Sequence, residues 1–254
     1  MNDSVSYTEM KSLFEQLRMV DIIDQYEELT KQATQEKWEY EKYLSEVLKI
    51  EESGRTKRRV ERYERLSGLP SFKRFDSFNQ EELAPDIQMK IKALRRGDFI
   101  NRYENILLFG QPGTGKTHLA SAFGHELIRQ GKKVYFSLCS TLVQELLRAK
   151  ETFSLPRKLK QLSRYDLIII DEIGYIQQSR DEMEVLFTLL ADRYERGSFI
   201  VTSNLPFSKW DQVFKDKMLA AAAIDRLVHH SIILKLDVEN YRLKSLKTNK
   251  KQKK

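Results

Sequence analysis

Residues 104–130, ENILLFGQPGTGKTHLASAFGHELIRQ, place an apolar run, a glycine-rich turn and a helical segment in immediate succession. The turn, Gly110–Gln111–Pro112–Gly113–Thr114–Gly115–Lys116–Thr117, has the spacing G-x-x-x-x-G-K-[ST], and His118 follows it. Its flanks read as the strand and the helix that this pattern needs to act as a phosphate cradle. Glycines let the backbone curl so that successive N–H groups and the helix N-terminus face phosphate oxygens, where the helix dipole adds positive potential. Lys116 then reaches the β- and γ-phosphates of ATP, and Thr117 ligates Mg²⁺. The rival reading, a glycine-rich turn with no ligand, is disfavoured by both flanks.

Working outward, β-like runs at 104–109, 132–138, 165–170, 198–203 and 231–236 alternate with helical segments. That alternation predicts an α/β fold, a parallel sheet covered on both faces. The run YDLIII ends in Asp171–Glu172, two carboxylates at the strand end where open α/β sheets bind ligands. Asp171 suits an outer Mg²⁺ ligand, and Glu172 can polarise the attacking water; helix capping is the plain alternative. A further strand, SFIVT, ends in Ser203–Asn204, whose amide suits a γ-phosphate contact but equally suits a turn before Leu–Pro. In KMLAAAAIDRLVHH, Arg226 is either a cation at a helix C-terminus, favoured by the dipole, or a finger inserted into a neighbouring subunit's nucleotide.

The N-terminal third has a different texture. Met10, Leu13, Phe14 and Leu17, then Met19, Ile22, Ile23 and Tyr26, predict two helices within 7–30. Another amphipathic helix is expected from about 35 to 67, with a break or bend at Gly54, where a helix-interior glycine costs roughly 1 kcal/mol relative to alanine. Gly68–Leu69–Pro70 ends this module.

With 254 residues, 41% of them hydrophobic, the chain can bury a core without disulfides, and its one cysteine, Cys139, allows no intrachain bridge. A reducing, cytoplasmic setting is expected. No apolar run approaches the roughly 20 residues of a membrane-spanning helix, so no membrane partner is expected. The net charge of +7 equals the seven Lys and Arg from Arg242 onward; any nucleic-acid surface must therefore come from local clusters.

Taken together, GQPGTGKTHLA, LIIIDEIGY, TSNLPFSKW and AAAIDRLVHHSIIL resemble the Walker A, Walker B, sensor 1 and arginine-finger segments of the AAA+ ATPases. Within these, the order and spacing resemble the IstB-like helpers of insertion-sequence transposases, relatives of helicase loaders and replication initiators. The resemblance implies a P-loop AAA+ parallel five-stranded sheet sandwiched by helices, with a small all-α N-terminal domain. It implies a helical DNA- or partner-binding domain over 1–68, a linker near the adenine over 69–80, the ATPase over 81–241 and a basic tail over 242–254. Phosphate binding then falls to Gly113, Gly115 and Lys116 within Gly110–His118, Mg²⁺ to Thr117 and Asp171, water activation to Glu172 and γ-phosphate sensing to Asn204. Arg226 becomes the trans-acting finger. Asn240–Tyr241–Arg242 stands where relatives show Ser–Tyr–Arg, and only 18 residues follow the last strand, too few for the helical lid that usually carries this second sensor arginine.

Double-stranded DNA, bound mainly without sequence preference, a cognate transposase and a homo-oligomer sharing ATP sites are the partners implied. Three basic clusters are candidates for DNA contact. They are the run Arg55–Arg65 with Arg58 and Arg59, the insert 141–166 with Arg148, Lys150, Arg157, Lys158, Lys160 and Arg164, and the tail. Phosphate contact demands positive charge and no fixed pattern, so a solvated face competes with each. The alternative function is an ATP-switched helicase loader. A small-molecule kinase is disfavoured because no acceptor pocket is legible.

Overall fold

Uninterrupted apolar strands pack only where both faces of a sheet are covered, and the computed structural model, which describes residues 6–174, 179–206, 209–210 and 217–237, has that architecture. It divides into two compact units, 1–62 and 63–254.

The first unit is helical: α1 (Tyr7–Gln16), α2 (Val20–Ile23), α3 (Tyr26–Gln35) and the start of α4 (Tyr40–Ser67). Residues 7–30 thus hold three helical pieces, where two were expected. Phe14, Ile22 and Val47 form its small buried core, with Met10, Tyr26 and Tyr43 packed on it. The expected break at Gly54 does not occur, because α4 runs unbroken through it. The glycine serves packing: a Cβ there would come within 1.9 Å of the Asp21 carboxyl carbon. Glu51, only 4% exposed, accepts the Asp21 N–H at 2.9 Å and holds Arg55 at 2.7 Å, which accounts for a buried acid.

The second unit begins with the end of α4, a 3₁₀ turn (Phe75–Ser77), α5 (Pro85–Leu94) and α6 (Asp98–Asn101). Then come β1 (Asn105–Phe109), α7 (Lys116–Arg129), β2 (Val134–Leu138), α8 (Cys139–Glu151), α9 (Leu155–Leu162) and β3 (Leu167–Ile173). The described part closes with α10 (Arg180–Arg193), β4 (Ser198–Ser203), a helix Lys217–Val228, here α11, and β5 (Ser231–Lys235). The five strands are all parallel, in the order β2-β3-β4-β1-β5. The expected parallel sheet is therefore present.

Side chains alternate across it. Leu107, Ile168, Ile170 and Val201 share a buried cluster with Leu146 of α8 and Leu189 of α10. From the other face Ile169 meets α7, where a Cβ on Gly124 would lie 3.0 Å from its Cδ1. Each fully buried Leu or Ile contributes about 1.5–3 kcal/mol relative to exposure, so the sheet edges are held firmly in register. Among the described residues no helix is long and apolar enough to cross a membrane.

Candidate functional site

Parallel pairing brings three strand ends to one edge. Phe109 of β1 pairs with Ser203 of β4, and Ile173 of β3 pairs with the same Ser203. Gly110, Asn204 and the pair Asp171–Glu172 consequently share the carboxyl edge of the sheet, where α/β folds bind ligands.

In the loop, Gly113 and Gly115 have φ of 84° and 90°, a region that side-chain-bearing residues avoid. Thr114 is buried and its hydroxyl donates to the Gln111 carbonyl at 2.9 Å. The Lys116 ammonium donates to the carbonyls of Gly110 and Gln111 at 2.8 and 2.9 Å, so the cation is held over the loop itself. Gly115 occupies the N-cap of α7 with no side chain capping the helix, which leaves its first N–H groups for an acceptor. This donor set, with Thr117 in the first turn, fits a nucleotide polyphosphate and its Mg²⁺.

The two carboxylates differ sharply. Between Ile170 and Ile173 the β3–β4 register slips, a bulge in which β3 carries one residue more than its partner. Glu172 sits in the bulge with φ 65° and its side chain exposed, whereas Asp171 is 2% exposed. Thr202 of β4, fully buried, ties them together: its hydroxyl donates to Asp171 Oδ1 at 2.6 Å and accepts the Glu172 N–H at 2.9 Å. Thr202 is not among the residues expected from the sequence; the signal for it is a polar residue at a buried strand end facing the acidic pair. Ser203 is buried too, donating to the Ile173 carbonyl at 2.7 Å, and Asn204 follows it half-buried.

The segment after α4 lies along α7. Phe78 stands 3.0 Å from where a Cβ on Gly115 would be, and Phe75 packs edge-on to Phe123. His118 Nε2 contacts the Arg74 carbonyl at 2.9 Å and the Ser77 hydroxyl at 3.2 Å, with its ring against Phe78. Burial holds the His118 imidazole below its ordinary pKa, opposed by the Arg74 carbonyl and aided by nearby Lys73. One turn pair further on, buried His125 meets the Pro70 carbonyl at 3.1 Å and, through Nδ1, Glu64 at 2.7 Å; Glu64 also pairs with Arg74 at 3.2 Å. His118 therefore serves as a clamp between this segment and the cradle helix.

Arg226 is at the other edge. Asn105 at the start of β1 pairs with Ser231 at the start of β5, so α11 ends at the amino edge of the sheet. Strands of this length separate the two edges by about 15 Å. Arg226 donates to the Ala222 carbonyl at 3.2 Å, lies 4.6 Å from the Phe187 ring centre, and lines a shallow pocket with Tyr103, Glu195 and His230. Arg242, with Asn240, Tyr241 and the basic tail, lies outside the described residues.

Comparison with known proteins identifies the family of the chain. Residues 12–249 match the family model described as IstB-like ATP binding protein. The chain belongs to the IstB-like ATP-binding family. Among its relatives, an ATP-binding protein of insertion sequence IS21 from Pseudomonas aeruginosa is 38% identical over 237 residues, 93% of this chain and 89% of that protein. One of insertion sequence IS5376 from Geobacillus stearothermophilus is 38% identical over 215 residues, 85% and 86% of the two chains. In fold it is similar to solved structures. A DNA replication initiation factor has a TM-score of 0.59 at 21% identity, covering 73% of this chain and 56% of that one. The DnaI crystal structure has a TM-score of 0.56 at 18% identity, covering 67% and 95%. This IstB-like protein is thus a P-loop ATPase of AAA+ fold.

The basic clusters of the IstB-like chain differ in how far their charge is already spent. Arg58 pairs with Asp21 and, at 3.6 Å, with Glu51, while Arg59 reaches Thr56 at 3.5 Å. In the insert, Lys150 pairs with Glu184 at 3.0 Å and Lys158 with Glu145 at 2.7 Å. Arg148, Arg157, Lys160 and Arg164 are exposed and pair with no acid among the described residues. Phe153, between α8 and α9, is 95% exposed with φ 52°, and its N–H is held on the Lys150 carbonyl at 3.1 Å.

Proposed function

We propose that this ATPase assembles on double-stranded DNA, with each ATP completed by Arg226 of a neighbouring subunit, and that the assembly serves the transposase of an insertion sequence. The single observation that carries the reading is the polarity of the sheet. The phosphate cradle follows β1 at the carboxyl edge, whereas Arg226 precedes β5 at the amino edge. A guanidinium about 15 Å of strand away cannot neutralise its own protomer's γ-phosphate, but head-to-tail stacking brings it to the next one. Thr117 and Asp171 would hold Mg²⁺, which supplies charge neutralisation at the phosphates. Lys116 binds phosphate oxygens, Glu172 takes the proton of the attacking water, and Asn204 orients that water.

DNA contact is assigned first to the insert, where four unspent cations flank an exposed ring. Such a surface follows the phosphate backbone and reads little sequence. The transposase role rests on the insertion-sequence origin of the relatives.

Mixed-variant ATPase assays test the shared site. Lys116→Ala and Arg226→Ala are each expected to be inactive, and their mixture to regain activity through interfaces that pair an intact cradle with an intact finger. Mixtures that stay inactive at every ratio would refute sharing in trans.

A further inference from the structure

Beside Arg226 the amino edge gathers four side chains that ATP chemistry leaves unused. Tyr194 and Glu195 follow α10; His229 and His230 follow α11. Both backbones are tightly held. The N–H groups of Arg196 and Gly197 donate to the Arg193 carbonyl at 3.0 and 3.1 Å, fixing a turn in which Glu195 has φ 56°. A left-handed conformation costs a residue with a side chain about 1–2 kcal/mol. His230 accepts the Asn105 N–H through its carbonyl at 2.7 Å, and the His229 N–H donates to the Asp225 carbonyl at 2.9 Å.

These turns set Glu195 Oε1 and His230 Nε2 3.4 Å apart. One ligand atom from each of Glu195, His229 and His230 lies within 4.8 Å of the other two, and all three side chains are exposed. In a tetrahedral zinc site with bonds of about 2.0–2.1 Å, adjacent ligand atoms stand about 3.4 Å apart. The Glu195–His230 edge already has that length, and His229, with a ligand atom within 4.8 Å of both, closes the triangle by a side-chain adjustment. The Tyr194 hydroxyl lies 2.9 Å from His229 Nδ1. When that ring nitrogen donates its proton to Tyr194, Nε2 presents a lone pair, the way outer groups orient imidazole ligands.

We propose that Glu195, His229 and His230 form a binding site for a divalent first-row transition ion, Zn²⁺ above all, with a fourth position open. Two imidazoles and one carboxylate suit Zn²⁺, whereas Mg²⁺ takes oxygen donors in octahedral geometry. The site is separate from the Mg²⁺ of the nucleotide, which belongs to the opposite sheet edge, and it does not depend on the assembly proposed above.

The test uses the full chain, stripped with chelator and free of nucleotide, titrated with Zn²⁺ by calorimetry and with Co²⁺ by visible absorption. The chain has four histidines, and the rings of His118 and His125 are engaged on the carbonyls of Arg74 and Pro70, so the signal can be assigned. A single saturable site is expected. His229→Ala and His230→Ala should each weaken it at least about tenfold, and Glu195→Gln should weaken it less. The double histidine variant should lose the Co²⁺ absorption while its unfolding temperature in chelator matches that of the unaltered chain. Absence of saturable binding, or binding that the double variant leaves unchanged, overturns the site and leaves Glu195–His230 a polar contact only. Should His230→Ala unfold the corner, His229→Ala and Glu195→Gln decide the matter, since unchanged affinity in both is equally fatal.

Discussion

Thr202 carries one hydroxyl between two groups at the bulge, the buried Asp171 carboxylate oxygen and the part-buried Glu172 amide. Valine has the same shape and offers neither bond, and each abandoned group costs about 1–3 kcal/mol. Thr202→Val is therefore expected to lower kcat for ATP by about 10–100-fold, the scale of small misplacements in a catalytic constellation, with a smaller change in KM. Thr202→Ser should restore most of it; a valine variant with undiminished kcat would show that Thr202 positions nothing. His118 gives a pH prediction. Its imidazole is held below the ordinary 6.5, chiefly by burial, so below about pH 6.5 the unfolded chain binds a proton that the folded chain resists. Stability then falls as pH drops through that value, and thermal unfolding of His118→Gln should show a shallower decline between about pH 7 and 5. At this scale the sequence was partly legible. Glycine spacing announced the cradle, and Asp171–Glu172 stood out as acids ending an apolar strand. The left-handed twist of Glu172 and the bridge through Thr202 were hidden, because both depend on which residue of β4 lies opposite, a matter of register and not of spacing.

Among the elements, the corner joining α9, β3 and β4 is held by one buried guanidinium. Arg193, 2% exposed, donates to the carbonyls of Leu162 and Tyr165 at 3.0 Å each and of Ser198 at 3.4 Å, and burial pulls its pKa down to about 10, still charged at neutral pH. Gly197 makes room for it, since a Cβ there would stand 2.3 Å from the guanidinium. Arg193→Met should lower stability by about 2–4 kcal/mol by orphaning several buried carbonyls, read as an earlier midpoint in urea; a midpoint unchanged from that of the unaltered chain would remove the corner's claimed role. The insert predicts differently. Replacing Arg148, Arg157, Lys160 and Arg164 by Ser should flatten the dependence of log K for duplex DNA on log salt by about 0.9 per lost phosphate contact. Substituting Lys150 and Lys158, which are paired to Glu184 and Glu145, should alter it less, and equal effects would point away from the insert as the DNA face. Periodicity gave the strands and most helices, but it misread Gly54. A glycine inside a helical pattern signals a bend or a close neighbour with equal force, and only packing against Asp21 distinguishes them.

For the molecule as a whole, the parallel course of β1 and β5 gives every subunit two unlike ends. In the assembly proposed above, a row built through them would have a direction: its first member would offer a cradle with no finger, and its last a finger with nothing to touch. One nucleotide per row is then idle whatever the row's length, so turnover averaged over subunits should be low in dilute protein, climb as rows grow and level off once the idle terminus becomes a small fraction. A ring would instead switch on in a single step at its closing size. The shape of the curve of specific activity against protein concentration therefore discriminates an open filament from a closed one without any image of either.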